Sequence, residues 1–470
     1  MNRVLRRLLV CTTTCLLACA SAIASASKAP TEFEVAGIDS FLAAHVGEKG
    51  RVGLSVAIVK NGELVLAKGY GSRSLRDQTP VESDTVFAIG SVTKQFTCAC
   101  VLLLAQEDKL SVHDKLSKYF PKLTRAKDIT LLDLMNHASG YPDYYPLDFV
   151  DTRMQKAISP DQLLQQYAGG KLDFAPGTDW SYSNTGFVIL GRVVEKVSGR
   201  SFADFLERRI LRPLGMKQTR MGTDLRSKNV AKGYGTFALS AAESAVPEAD
   251  GWIGAAGELY STPGDLAKWN LALIGGKVLK PKFYKLMTTS RELPNGIVTG
   301  YGCGLAIKVQ ERRTVLSHGG AVSGFNAFNA VIPSTQSAVV LLCNKEGGLG
   351  SLPETLTTLL LKAESNIPKV ADLPAVDTVK KVFAQLQAGN ADRTQFGAEF
   401  NSYLSDEKLA GAAHRLRVFG DPKTVEVIRT RERGRMEVTT THLIFAEKTL
   451  EVLMYRTSDG RIEQFFIDEK

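Results

Sequence analysis

Ser91 and Lys94 stand three residues apart in the run FAIGSVTKQFTCACVLLLAQ, residues 87–106, which is apolar on both sides of that short polar interval. A serine where a helix begins and a lysine one turn along it share a face. The pair could be a helix cap beside a lysine that snorkels to water, because serine is a favoured capping residue. It could also be a nucleophile and its base. The free N–H groups and partial positive charge of a helix start favour an alkoxide. A lysine held near an apolar core can take a proton or lend charge. Spacing alone decides nothing, since Ser-x-x-Lys also occurs at Ser25 to Lys28 and Ser405 to Lys408. Only the copy at Ser91 lies between a strand-like run, Val86 to Ile89, and an apolar helix.

Two further groupings could serve such a nucleophile. Tyr182-Ser183-Asn184 sits on a loop ahead of the amphipathic run FVILGRVVEKVSG. A tyrosine with pKa near 10 is no base at neutral pH. A neighbouring ammonium such as Lys94 could depress it by about three units, or ~4 kcal/mol. The bland reading is a turn tyrosine packed beside Trp180. The other grouping, Ser317-His318-Gly319-Gly320-Ala321, ends one strand-like run and precedes another. Glycines there let a substrate lie along the strand edge, and a backbone N–H can donate to an oxyanion. A lone histidine is more often structural. With no HExxH or comparable ligand cluster, neither a metal nor a cofactor is expected.

The elements that must position these residues come from both ends of the chain. LSVAIVKNGELVLAKGYG reads as a hairpin around Asn61-Gly62, after a helical lead-in from Ile38 to His45. Far downstream, TVLSHGG, FNAFNAVIPS and SAVVLLCN give three more strand-like runs, and a helical stretch from Leu352 to Ala363 follows. Between the two sets lie helices and loops, roughly 90 to 295. This order predicts one sheet assembled from both termini, flanked by helices, with a helical subdomain inserted. The polar, proline-containing segment 364–376 reads as a linker. Beyond it, helical patterns at Asp377 to Gln387 and Thr394 to Leu404 precede four strand-like runs, which predicts a separate small α+β domain over 377–470.

At 470 residues, 44% hydrophobic and 23% charged, the chain is globular and long enough for two or three domains. Residues 1–26 carry three arginines, a short apolar run and Ala24-Ser25-Ala26, the pattern of a secretory signal peptide. A periplasmic or secreted location follows. Leu16-Leu17-Ala18-Cys19 also resembles a bacterial lipoprotein cleavage box, so membrane association is expected only if Cys19 is lipidated. Cleavage after Ala26 removes Arg3, Arg6 and Arg7 and no acid, taking the formal charge from +9 to +6. The remaining basic residues are scattered without interleaved aromatics, which excludes nucleic acid as a partner. Cys98 and Cys100 lie two apart on one predicted helix and cannot bridge. Cys303 and Cys343 fall in strand-like runs whose pairing cannot be read from sequence.

Taken in order, Ser91-Val-Thr-Lys94, LLDLMNHASGYPDY, Tyr182-Ser-Asn184, GAAGELYSTPGDLAKW, YGCGLAI and His318-Gly-Gly320 resemble the serine β-lactamase-related hydrolases. That superfamily holds class C β-lactamases, DD-carboxypeptidases, D-aminopeptidases and esterases. The resemblance runs from about residue 35 to 363. It implies an α/β (α+β) penicillin-binding-protein-like fold, with a hydrolase domain over 27–363. It further implies that Ser91 attacks a carbonyl to form an acyl-enzyme, and that Tyr182 and Lys94 share the proton traffic. Asn184 would hydrogen-bond the substrate amide, and the N–H groups of Ser91 and Ala321, beside Gly320, would form the oxyanion hole.

His318 stands where the β-lactamases of this superfamily carry lysine. An ordinary histidine supplies charge only below a pKa of ~6.5, so carboxylate binding would weaken as pH rises from about 5.5 to 7.5. With the signal peptide, the resemblance therefore implies an exported hydrolase of small amides or esters, of peptidase or esterase type, with peptides of D-residues favoured as substrates. A true β-lactamase and a non-catalytic protein that binds cell-wall peptides remain the alternatives. The C-terminal segment resembles, in element order, the cystatin-like domains fused to some of these hydrolases.

Overall fold

The computed structural model describes residues 29–470 apart from 49–51, 146–151, 223–226, 239, 363–367, 369 and 372. The signal peptide and Cys19 lie outside the described residues, as does part of the predicted linker. The chain divides into two compact units that part between Leu361 and Lys362. Among the described residues, no helix is long and apolar enough to cross a membrane.

The first unit is built on a seven-stranded antiparallel sheet. Its spatial order is Thr79–Pro80, Glu63–Ser74, Gly53–Lys60, Ser337–Cys343, Phe325–Ile332, Arg313–Val322 and Ala306–Gln310. Strands from the two ends of this unit meet at its centre, where Leu54 pairs with Cys343 and Val59 with Ala338. Both central strands are buried along their length, apart from the half-buried Lys60, because both faces of the sheet are covered. Leu54, Val56 and Ile58 with Val339, Leu341 and Cys343 face a core closed by Ile38 and Leu42 of helix Val35–Glu48 and by Leu356 of helix Leu352–Leu361. Their alternates Ala57, Val59, Val340 and Leu342 face the opposite core, which holds helices Thr93–Gln106 and Pro263–Ile274. The first hairpin turns at Asn61 (φ 53°) and Gly62 (φ 84°), the left-handed pair that a two-residue turn demands.

Between the two sets of strands, the inserted region is mostly helical. Short strands interrupt it, among them Phe87–Ala88, which pairs with Leu259–Ser261. This small ladder carries the chain into the 3₁₀ turn Gly90–Val92 and then into helix Thr93–Gln106. Cys98, Cys100, Cys303 and Cys343 are all buried thiols, and Cys303 lies in a loop rather than the strand its surroundings predicted.

The second unit is a four-stranded antiparallel meander, Thr424–Arg433, Met436–Ile444, Thr449–Arg456 and Ile462–Glu469. Val379, Val382 and Phe383 of helix Ala375–Ala388 share a core with Leu409 of helix Asp406–Leu416 and with Val452, Met454 and Phe465 of the sheet. Arg456 is buried, and its guanidinium is held by Glu437 at 2.6 Å, Leu373 O at 2.6 Å and Thr378 Oγ1 at 2.9 Å. Helix Asp406–Leu416 explains the third Ser-x-x-Lys: Ser405 is its N-cap, and its hydroxyl accepts from the Lys408 N–H at 3.3 Å.

Candidate active site

Ser91 does not play that capping role. It is the middle residue of the 3₁₀ turn, and the side chain of Val92, the residue that precedes the helix proper, makes no capping bond. The expectation that Ser91 caps or begins the helix is therefore corrected. The chain first makes one tighter turn, and this leaves the serine hydroxyl available to other side chains. Two glycines make the placement possible. Gly90 has φ +51°, and a Cβ there would come 2.8 Å from Ala321 N. A Cβ on Gly320 would come 2.0 Å from Ile89 O. The turn carrying Ser91 is thus pressed backbone to backbone against strand Arg313–Val322, which brings Ala321 beside the nucleophile.

Lys94 lies one turn further and is wholly buried. Its Nζ is 3.0 Å from Ser91 Oγ, 2.7 Å from Asn184 Oδ1 and 2.7 Å from Ala256 O. It also sits 4.9 Å from the centre of the Tyr182 ring and 5.2 Å from that of Phe187. Burial disfavours the ammonium and pulls the lysine pKa down to about 7, against the opposing pull of Asp143 and Cys98. Two of the three polar partners, a side-chain amide oxygen and a backbone carbonyl, can only accept. A neutral amine has two N–H groups for these two, which leaves its lone pair for the hydroxyl of Ser91.

Tyr182 faces the same cavity as the Ser91 side chain. Its phenol is driven above the ordinary value by burial, with only a partial offset from Ser91. This reverses the expectation that Lys94 would depress it. Desolvation outweighs the charge of an amine that is only about half protonated at pH 7. Ser183 caps helix Asn184–Ser198, and its backbone N–H donates to His137 Nδ1 at 3.1 Å. The His137 ring packs 4.3 Å from that of Tyr182 and 4.7 Å from that of Tyr301, so the tyrosine is wedged from behind.

Asn184 is engaged by neighbours within the protein. Its Oδ1 accepts from Lys94, and its Nδ2 lies 3.1 Å from both carboxylate oxygens of Asp143. His318 is buried too. Its Nδ1 faces Gly319 O at 2.5 Å and its Nε2 faces Tyr301 Oη at 2.7 Å. A carbonyl only accepts, so Nδ1 carries the proton and Nε2 accepts from the tyrosine. Burial, assisted by Lys94, lowers the His318 pKa to about 4. The ordinary pKa expected for this histidine is corrected accordingly, and the pH window of 5.5 to 7.5 lies above its titration.

Ser91, Tyr182, Asn184, His318, Gly320 and Ala321 line one cavity of about 500 Å³, while Lys94 lies behind Ser91. Strand Ala306–Gln310 pairs with its neighbour only as far as Ser317, so it leaves the edge of residues 318–322 open beside the nucleophile. The residues not singled out from sequence are Asp143, His137, Tyr301 and Ala256. The first three lie within the stretches NHASGYPDY and YGCGLAI, and a spacing argument assigns no partner to them. Ala256 acts through its backbone oxygen, for which no side chain gives a signal. Among the described residues, no three histidines, cysteines or carboxylates form a group that could hold a metal ion.

The family model described as Beta-lactamase matches residues 38–364. A D-aminopeptidase of Brucella anthropi is 26% identical over 424 residues, which takes in 87% of this chain and 80% of that protein. A solved D-amino acid amidase of Ochrobactrum anthropi SV3, complexed with L-phenylalanine amide, superposes with TM-score 0.59 at 25% identity. That match covers 68% of this chain and 97% of the amidase. The octameric penicillin-binding protein homologue of Pyrococcus abyssi superposes with TM-score 0.60 over 93% of this chain and 96% of its own. At 23% identity, that likeness is one of fold.

Proposed function

We propose that this chain, which belongs to the beta-lactamase family over residues 38–364, cleaves small amides or esters of D-amino acids through an acyl-enzyme on Ser91. The observation that carries the reading is the surroundings of Lys94 Nζ, where two pure acceptors leave the lone pair facing the serine hydroxyl. Ser91 Oγ bonds to the substrate carbonyl carbon as its proton passes to Lys94. The backbone N–H groups of Ser91 and Ala321 receive the oxyanion. The carbon–nitrogen or carbon–oxygen bond then breaks, and the leaving atom takes the proton from Lys94, directly or through the neutral hydroxyl of Tyr182. Water repeats the attack on the ester, and Ser91 recovers its proton.

The substrate class rests on two supports. Relatives similar to this chain are named for action on D-amino acid substrates. The cavity wall also disfavours an anionic substrate. Its described lining includes Asp143 and neither lysine nor arginine, and His318 is neutral. A penicillin carboxylate finds no fixed cation there, whereas a well-placed ion pair in a cleft strengthens binding. In a panel of D- and L-amino acid amides, uncharged esters and nitrocefin-like lactams, D-amides and esters are expected to turn over fastest. Lactams should acylate and deacylate slowly. His318 should add no pH dependence to inhibition by a carboxylate product between pH 5.5 and 7.5, and His318→Lys should strengthen that inhibition. Efficient lactam turnover with poor amides and esters would point instead to a β-lactamase.

Export is part of the same proposal and rests on residues 1–26, with a membrane anchor only if Cys19 is lipidated. The domain division is proposed as 27–363 for the hydrolase and 377–470 for a small accessory domain. All described residues of the cavity precede residue 361, and the second unit has its own core. A chain ended within 364–376 should fold and label at Ser91 as the full chain does. An unfolded or unlabelled product would mean that the C-terminal domain completes the hydrolase.

A further inference from the structure

We propose that Asp143 is a positioning residue whose carboxylate fixes the amide of Asn184 and, through it, the amine of Lys94 against Ser91. The proposal rests on the reading of Ser91 as nucleophile and Lys94 as base. The Asn184 backbone N–H donates to Asp143 Oδ1 at 3.0 Å, and the Asn184 Nδ2 lies 3.1 Å from Oδ1 and from Oδ2. A carboxylate only accepts, so it takes the NH₂ end of the amide and turns Asn184 Oδ1 toward Lys94, 2.7 Å away. A flipped amide would instead offer N–H to the Lys94 lone pair, in competition with the Ser91 hydroxyl.

The anchoring is built into the fold on both sides. Asn184 opens the 15-residue helix Asn184–Ser198, where a carboxylate beside the first N–H is stabilised by the helix dipole. The preceding residue, Pro142, is tied to the same helix start by the Thr185 hydroxyl, which donates to its carbonyl at 2.7 Å.

Asp143 has a second effect, through its charge. The titratable groups around Lys94 are Cys98 on its own helix, Tyr182, His137 and His318. Burial keeps each of them neutral at pH 7. Asp143 is the carboxylate that holds Lys94 up against its own burial. Without it the amine would lose its proton at lower pH still.

The test is the rate of fluorophosphonate labelling at Ser91 as a function of pH, which needs no natural substrate. The wild type should gain rate with an acid limb near pH 7. In Asp143→Asn the limb should move down by about one pH unit or more, as loss of a close opposite charge requires. Its plateau should fall at least about tenfold as the amide is released. Asn184→Ala keeps the carboxylate, so its plateau should fall while its limb moves down less than that of Asp143→Asn. A folded Asp143→Asn protein with an unmoved limb overturns the proposal, whether or not its rate falls. If that variant does not fold, Asp143→Glu carries the test. It should keep the limb near pH 7 and lower the plateau, and a full rate would overturn the proposal. A wild type without labelling at Ser91, or without the limb, refutes the underlying reading instead.

Discussion

Ser91→Ala is expected to abolish covalent labelling and to lower turnover of any amide or ester by roughly 10⁴-fold or more, with the fold retained. The magnitude follows from losing the covalent route as a whole, which the remaining groups cannot replace. The fold should persist because the Ser91 side chain does not cap its helix, unlike Ser405, whose hydroxyl accepts from the Lys408 N–H. Intact mass after treatment with a fluorophosphonate or a slow β-lactam should show one adduct on the wild type and none on the variant. An adduct that survives in Ser91→Ala would place the nucleophile elsewhere, and a non-catalytic binder would give no adduct on either protein. The same experiment therefore separates enzyme from binding protein.

How far the site could be read from sequence depends on which atoms do the work. Ser91, Tyr182, Asn184, His318, Gly320 and Ala321 were legible because each belongs to a short motif with a side-chain or glycine signature, and they line one cavity. Their protonation states were not legible. Burial drives Tyr182 up and His318 down to about 4, and depth is a property of the assembled core. Asp143 was missed because its partner lies 41 residues away, at Asn184.

The same division holds for the fold. The Asn61-Gly62 hairpin and the two central strands were plain from turn chemistry and apolar runs. Strand Ala306–Gln310 was missed: it is a five-residue edge strand with Lys308 and Val309 exposed and no position fully buried, so no buried face marks it. Helix Asp406–Leu416 was missed because only Leu409 and Ala413 are buried, too thin a stripe to set a period.

Lys94→Met should lower the acylation rate by about 10²- to 10⁴-fold, the range that general-base assistance supplies. Methionine fills most of the lysine's volume, so the change removes the amine with little disturbance of the core. The structure places a substantial cost on that amine. A lysine brought from its model value of 10.5 to about 7 by burial gives up roughly 5 kcal/mol of preference for the ammonium. The sign for activity follows directly. The base is the neutral form, so wild-type acylation should climb as pH rises through about 7 and level off above it. Lys94→Met should lose that limb along with the rate. Lys94→Arg, charged at every accessible pH, should be as slow as the methionine variant. Tyr182→Phe separates the two candidate bases. With its phenol held above the ordinary value, Tyr182 acts as a neutral hydrogen-bonding relay, so the phenylalanine variant should be slower but keep the limb near pH 7. A limb that vanishes in Tyr182→Phe and survives in Lys94→Met would reverse the two roles.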